Sequence, residues 1–285
     1  MKFVNILLKT STLIFFYLPS YVFAQEVIGI GKPWGMGLQQ AGSELAQQVT
    51  EFHDALLIII TLISLFVLGL LVWIVIKFSE SNNPNPSKTT HNTLLEVLWT
   101  VIPVLVLVFI AIPSFKLLYK ADVVPDADMT IKAIGHQWYW SYEYPDYGNF
   151  TYDAFLVEEE GDLEDSNKPF HRLLTTDTAV VVPVGKIVRM QITSSGVIHS
   201  WALPALNVKI DAVPGRLNET WFKAEKEGIY YGLCSELCGL NHGKMPIEVH
   251  VVSESVFNLW IEKAKELYAD NNEQRIQVGV VKLDQ

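Results

Sequence analysis

A chain of 285 residues with 50% hydrophobic and only 18% charged side chains is poorly described by its average, because the apolar excess lies in the first 120 residues and two physical environments are implied. The formal net charge is −10, and residues 121–285 carry 25 Asp or Glu against 14 Lys or Arg. An acidic C-terminal portion excludes nucleic acid as a partner, since phosphate binding needs a basic face, and it permits long-range attraction of a basic protein.

Residues 1–24 begin with Lys2, continue through an apolar stretch broken by Lys9, and finish Val22-Phe23-Ala24 before Gln25. This is the pattern of a secretory signal cleaved after Ala24, leaving 25–54 as an exported segment. Lys9 and Pro19 make the run too short for an additional anchor. Ala55 to Ile76 contains no charge and lies between Asp54 and Lys77. At about 1.5 Å per helical residue it reaches roughly 33 Å, enough to cross a hydrocarbon core. Val97 to Phe115 is a second uncharged run, between Glu96 and Lys116, and its Pro103 and Pro113 are tolerated in membrane helices more readily than in soluble ones. The polar stretch Ser79 to Asn92, with Pro84 and Pro86, connects them, so 55–120 reads as a transmembrane hairpin. Lys77 and Lys88 in the loop balance Lys116 and Lys120 beyond the second span. The positive-inside count is therefore close to a tie, and the signal peptide decides the topology: the segment before the hairpin and everything after Tyr119 lie outside.

From Met129 the pattern changes to short β-rich runs: MTIKAI, QWYWSYEY, AVVVPV, KIVRMQITS, ETWFKA and PIEVHVV, the last with Ile247, Val249 and Val251 alternating against polar neighbours. Turn residues at Pro145-Asp146, Pro183, Gly185, Gly196, Pro214-Gly215 and Gly228 separate them at the spacing of an all-β sandwich or barrel. No helical crossover is visible between them, so 121–252 should form a mainly antiparallel domain. Glu158 to Lys168, EEEGDLEDSNK, reads as a solvated loop. In 253–285, Val256, Phe257, Trp260, Ile261, Ala264 and Leu267 recur with helical period behind Ser253 or Ser255 as N-cap, and the tail from Asp270 carries no further signal.

Both cysteines fall in Cys234 to Met245, CSELCGLNHGKM, with Glu236 between them and His242 and Met245 after them. Thiolate, imidazole and thioether form a soft donor set that favours copper over magnesium or calcium. In an exported domain a disulfide is the first rival. A structural zinc site with His199 as fourth ligand is the second. A mononuclear blue-copper site leaves one Cys unexplained, whereas two metals bridged by two thiolates use every candidate.

Four separated motifs then carry a resemblance: GHQWYWSYEY (135–144), HSWALP (199–204), DAVPGRLN (211–218) and GIYYGLCSELCGLNHGKMPI (228–247). In this order they resemble subunit II of the haem-copper cytochrome c oxidases, from about the first membrane helix to His250. The resemblance implies a two-helix hairpin followed by a cupredoxin-like Greek-key domain with a binuclear copper centre, CuA. Cys234 and Cys238 would bridge the coppers, His199 and His242 would ligate through imidazole, and Met245 and the Glu236 carbonyl would be weak axial ligands. The Glu236 side chain would reach a magnesium or manganese ion shared with subunit I. Trp138 matches the residue where electrons enter from cytochrome c, Glu143, Asp177 and Asp211 match docking acids, and Glu96 matches the mouth of a proton path. The implied partners are haem-bearing subunit I, subunit III and cytochrome c, in a bacterial plasma membrane rather than a mitochondrial one. Quinol-oxidase subunits lack the cysteines, and a membrane-anchored copper carrier or metallochaperone is the alternative outside the oxidases. His53, His91, His136, His171 and His250 stand outside any ligand motif and read as structural or solvent-facing.

Overall fold

The computed structural model describes residues 26–163 and 168–281, with side chains as far as 268. The signal peptide expected at 1–24 lies outside these residues, as do part of the acidic loop and the last four residues of the tail.

Two long helices come first, α1 (Glu44–Lys77) and α2 (Thr93–Asp122). Each contains an uncharged stretch and continues past it at both ends. Their apolar side chains point outward: Phe66, Trp73, Phe109 and Ile112 are all more than half exposed, and no residue of α2 is buried. In water such helices would leave their whole surface unsatisfied, so the solvent they fit is lipid. The start of α1 is seated on the domain that follows. Ser43 Oγ accepts from Ala46 N (3.1 Å) as N-cap and donates to Leu206 O (3.2 Å), and Gly42 N donates to Ala205 O (2.7 Å). A Cβ on Gly42 would lie 2.3 Å from the Tyr230 ring, so only glycine permits this approach. Lys120, in the last turn of α2, pairs with Glu44 at 2.8 Å and joins the two helices at the same end.

The rest is a two-sheet sandwich. One sheet has the order β5 (Val180–Pro183), β11 (Pro246–Val252), β10 (Gly228–Cys234), β7 (His199–Leu203), β8 (Val208–Ala212), with β1 (Val27–Ile28) beside the start of β10. The other has the order β4 (Phe150–Ala154), β3 (Tyr139–Tyr144), β2 (Met129–His136), β6 (Ile187–Ser194), β9 (Asn218–Lys223). Most pairs are antiparallel, as the cupredoxin-like expectation requires, but β2 with β6, β5 with β11 and β1 with β10 run parallel. Between β2 and β6, and between β5 and β11, the chain passes through the opposite sheet and not through a helix, which is how the sequence hides these pairs, whereas the membrane hairpin and most of the sandwich lie between β1 and β10. Strands β1, β4, β7, β8 and β10 are additions to the β-rich runs. All five residues of β7 are buried, so it has no alternation to read, and glycines begin and interrupt β10.

Tyrosines tie the sheets together. The Tyr144 hydroxyl donates to Val181 O (3.0 Å) and accepts from Val181 N (2.9 Å), and Trp201 Nε1 donates to Tyr142 OH (3.3 Å). Each buried polar tip thus has a partner in the other sheet. The final helix, α3 (Glu254–Val281), is N-capped by Ser253 Oγ, which accepts from Val256 N at 3.4 Å. It buries Phe257, Ile261 and Ala264 and sets Trp260 against Tyr144 and Phe150.

One polar residue of β11 is deeply buried: Glu248 is 1% exposed. Its Oε1 meets Lys168 Nζ at 3.0 Å and His250 Nε2 at 2.6 Å, and its Oε2 accepts from Thr176 N at 2.8 Å. Lys168, the last residue of the acidic stretch, is therefore held in an ion pair rather than solvated, whereas Glu158 to Asp162 are exposed. The segment after the acidic loop folds over this face of β11 and supplies the compensating charge that a buried carboxylate needs. Burial alone would raise the Glu248 carboxyl, but His250, Lys168 and the Thr176 amide outweigh it and hold it below the ordinary value. A depressed carboxylate stabilises the fold above its unfolded pKa, and that stability is lost as pH falls through the folded value. Glu248→Gln should therefore flatten the acid limb of a stability-versus-pH curve. Lys168→Met, which strands the charge, should cost about 3 kcal/mol at neutral pH, as read by urea titration.

Candidate metal centre

The ligand loop is closed by its own backbone. Cys234 ends β10, Met245 precedes β11, and Cys234 N donates to Met245 O at 3.0 Å. Strand β7 pairs with β10 so that Trp201 lies opposite Cys234, and Ser235 N donates to Ser200 O at 3.0 Å. His199, the first residue of β7, thereby arrives beside the loop from 35 residues upstream.

Four donor atoms form a chain. His199 Nδ1 is 3.7 Å from Cys234 Sγ, Cys234 Sγ is 3.8 Å from Cys238 Sγ, and Cys238 Sγ is 3.6 Å from His242 Nδ1. The donors of His199, Cys234 and Cys238 lie within 4.8 Å of one another, and all three residues are buried. His242 opens a short 3₁₀ turn, His242–Lys244, and is partly exposed. Met245 is fully buried at the end of the loop, and the Glu236 carbonyl lies 3.4 Å from Cys234 Sγ while its side chain is exposed. Both cysteines are free thiols, so the disulfide alternative is not the state of this fold.

The electrostatics fit a cation. Burial, and next the neighbouring Cys234, raise the Cys238 thiol. Burial, with His136 and His242 nearby, lowers the His199 imidazole. His199 is therefore favoured as neutral imidazole, which is the ligating form, and a bound positive charge would be needed to hold the Cys238 sulfur as thiolate. Two sulfurs and two nitrogens with a buried thioether in the same loop are consistent with a copper site.

The segment 135–138 underlies the cluster. A Cβ on Gly135 would lie 2.8 Å from His199 Cδ2, so glycine lets the imidazole rest on β2. Trp138 Nε1 donates to Cys238 O at 3.1 Å and Gln137 Nε2 reaches the same carbonyl at 3.4 Å. Trp138 is partly buried against Gly239, whose φ of +119° is one that glycine adopts without strain. Sequence reading singled out Trp138 but missed Gly135 and Gln137. A glycine inside a strand pattern marks close approach, and that was the available signal for Gly135.

The other expected residues lie away from the cluster. Glu143 pairs across the strand with Lys132 at 2.9 Å, and its side chain is 19% exposed. Asp177 is exposed and caps its own turn, accepting from Phe155 N (2.8 Å) and Thr178 N (2.7 Å). Asp211 is exposed on β8. Glu96 sits at the opposite end of α2 from the sandwich. There its carboxylate accepts from Asn92 N (3.4 Å) while Asn92 Oδ1 accepts from Leu95 N (3.2 Å), a reciprocal helix cap.

Comparison with known proteins identifies the family of the chain. Residues 129–252 match the family model "Cytochrome C oxidase subunit II, periplasmic domain", and residues 31–117 match its "transmembrane domain" counterpart. "Probable cytochrome c oxidase subunit 2" of Rickettsia bellii is 48% identical, over 90% of this chain and 93% of its own length. "Cytochrome c oxidase subunit 2" of Cereibacter sphaeroides is 42% identical, over 84% of each chain. The crystal structure of the periplasmic domain of subunit II of cytochrome oxidase (CoxB) from Bradyrhizobium japonicum is 53% identical. It covers 51% of this chain and 99% of its own, with a TM-score of 0.47. A membrane hairpin, a two-sheet domain and a buried His–Cys–Cys cluster thus stand in a chain that belongs to the cytochrome c oxidase subunit II family, a component of the haem-copper oxidases.

Proposed function

We propose that this chain receives single electrons from cytochrome c at a binuclear CuA centre and passes them to haem in subunit I, where oxygen is reduced to water with proton translocation. The observation that carries the reading is the unbroken chain of donors from His199 on β7 through the buried Cys234 and Cys238 to His242 on the ligand loop. Cys234, Cys238, His199 and His242, with Met245 and the Glu236 carbonyl, would hold the coppers. Copper held there would supply a one-electron carrier. The chain's own contribution is to hold the ligands in place: the loop is closed by the Cys234–Met245 backbone bond, and the Cys234, Cys238 and Met245 side chains are packed into the sandwich core, so little needs to reorganise on reduction.

Trp138 offers a covalent and hydrogen-bonded route from a partly exposed ring to the carbonyl of a ligand. Asp177 and Asp211, exposed on an acidic domain, suit attraction of a basic cytochrome. Glu143, already neutralised by Lys132, contributes least. Leu237 and Leu240, 77% and 90% exposed on the ligand loop, suit coverage by another subunit. The exposed Glu236 carboxylate beside them would face magnesium or manganese at that border. Subunits I and III would surround the hairpin, with Glu96 at the mouth of the proton path. An exported start and the bacterial relatives favour a bacterial plasma membrane with the sandwich on its outer side. A copper carrier outside any oxidase would leave Glu96 and the exposed loop leucines without a role.

Trp138→Ala in the purified complex should slow reduction of the centre by cytochrome c by on the order of 100-fold and leave the copper spectrum unchanged. An altered spectrum would make Trp138 a structural residue. Glu96→Gln should slow steady-state turnover while copper reduction keeps its rate, and unchanged turnover would remove it from the proton path. Gly135→Ala should weaken copper binding about 10- to 100-fold by displacing His199, measured by competition with a soft-metal chelator. Purification of the chain without a haem-bearing subunit would favour the copper-carrier alternative.

A further inference from the structure

His136 stands between the two halves of the site, and no ligand motif includes it. It is the last residue of β2, one step after the glycine that supports His199 and two before Trp138. Its ring is held at both nitrogens: Nδ1 is 2.8 Å from Ser195 Oγ, and Nε2 is 2.9 Å from Ser141 Oγ. Its face stacks on Tyr139, with centroids 4.6 Å apart and planes 8° from parallel.

The directions of these bonds follow from the neighbours. Ser141 donates its hydroxyl proton to Asp153 Oδ1 at 2.5 Å, so toward His136 it can only accept, and the imidazole must carry its proton on Nε2. In the neutral ring Nδ1 is then the acceptor, and Ser195 Oγ–H is the donor that reaches it. The longer alternative acceptor for Ser195, Gly135 O, lies at 3.5 Å. Ser195 belongs to the turn between β6 and β7, whose Ser195 amide donates to Gly135 O at 3.1 Å while the Ser194 hydroxyl donates within the turn to Val197 O. That turn leads directly into His199. On the other side of His136, Gln137 and Trp138 hold the Cys238 carbonyl.

We propose that His136 is a positioning residue for electron transfer: through Ser195 it locks the turn carrying His199 to the hairpin carrying Trp138, with Ser141 and Asp153 orienting its ring. A ring clamped at both nitrogens couples the place where electrons enter to a terminal copper ligand on a different strand. Residues that orient ligands in this way tune a metal site without touching the metal. The proposal rests on the reading of Trp138 and His199 given above.

The test uses the complete oxidase with four variants: His136→Phe, His136→Gln, Ser195→Ala and Trp138→Ala. The readouts are the rate of copper reduction by cytochrome c, kcat and KM separately, and the histidine-nitrogen couplings of the copper centre by pulsed electron resonance. His136→Phe should lower the reduction rate on the order of tenfold, alter one histidine-nitrogen coupling, and leave KM within about twofold. Ser195→Ala should move both readouts in the same direction by less. Glutamine offers one donor and one acceptor, so His136→Gln should recover most of the rate. Wild-type rate and couplings in both His136→Phe and Ser195→Ala would overturn the proposal, as would an effect confined to KM. If His136→Phe fails to assemble, Ser195→Ala and His136→Gln decide: wild-type values in Ser195→Ala overturn it, and a shifted coupling rescued in His136→Gln sustains it. A normal rate in Trp138→Ala beside a shifted coupling in His136→Phe would reject the Trp138 reading while leaving His136 as a support of His199.

Discussion

A single backbone hydrogen bond, Cys234 N to Met245 O, closes the loop on which the site depends. It continues the β10–β11 ladder, whose last pair is Leu233 with Pro246, so the register of two long strands fixes where the loop begins and ends. The pairing of β10 with β7 then sets the third side, because Cys234 opposite Trp201 leaves His199 at the near end of its strand. A one-residue slip would turn every side chain of the strand to the other face. The tyrosine hydroxyls and tryptophan that join the two sheets oppose such a slip, which ties the packing of the sandwich to the geometry of the donors.

The membrane hairpin and the sandwich meet at a rigid seat rather than a linker. Gly42 and Ser43 bind Ala205 and Leu206 directly, and Lys120 closes the same end of the hairpin. The ligand loop is therefore held at a set height and orientation relative to the bilayer. Such a seat suits the proposed electron relay, since transfer between fixed centres cannot tolerate a freely swinging domain. Glu96, at the far end of α2, lies a membrane helix away from the candidate copper ligands.

The sequence disclosed what depends on composition and local spacing. The helices were visible because lipid solvation demands long uncharged runs, and Cys234, Cys238, His242 and Met245 because they fall within one loop. His199 lay 35 residues away and could be assigned only by resemblance, since nothing local distinguishes it from His250. Gly135 and His136 act through tertiary contacts with residues about 60 positions distant, and propensity or periodicity carries no trace of those. Glu248 escaped notice for a definite reason: in a strand read in isolation a charged residue between Ile247 and Val249 carries no sign of its burial, and the lysine that neutralises it arrives from a loop 80 residues earlier. Strand β7 was hidden because burial on both faces erases alternation.

The central claim is that these side chains hold two coppers sharing one electron. Electron paramagnetic resonance of the oxidised, copper-replete complex tests it most directly. A hyperfine pattern from two equivalent copper nuclei is the predicted result, and splitting by a single copper nucleus would contradict it.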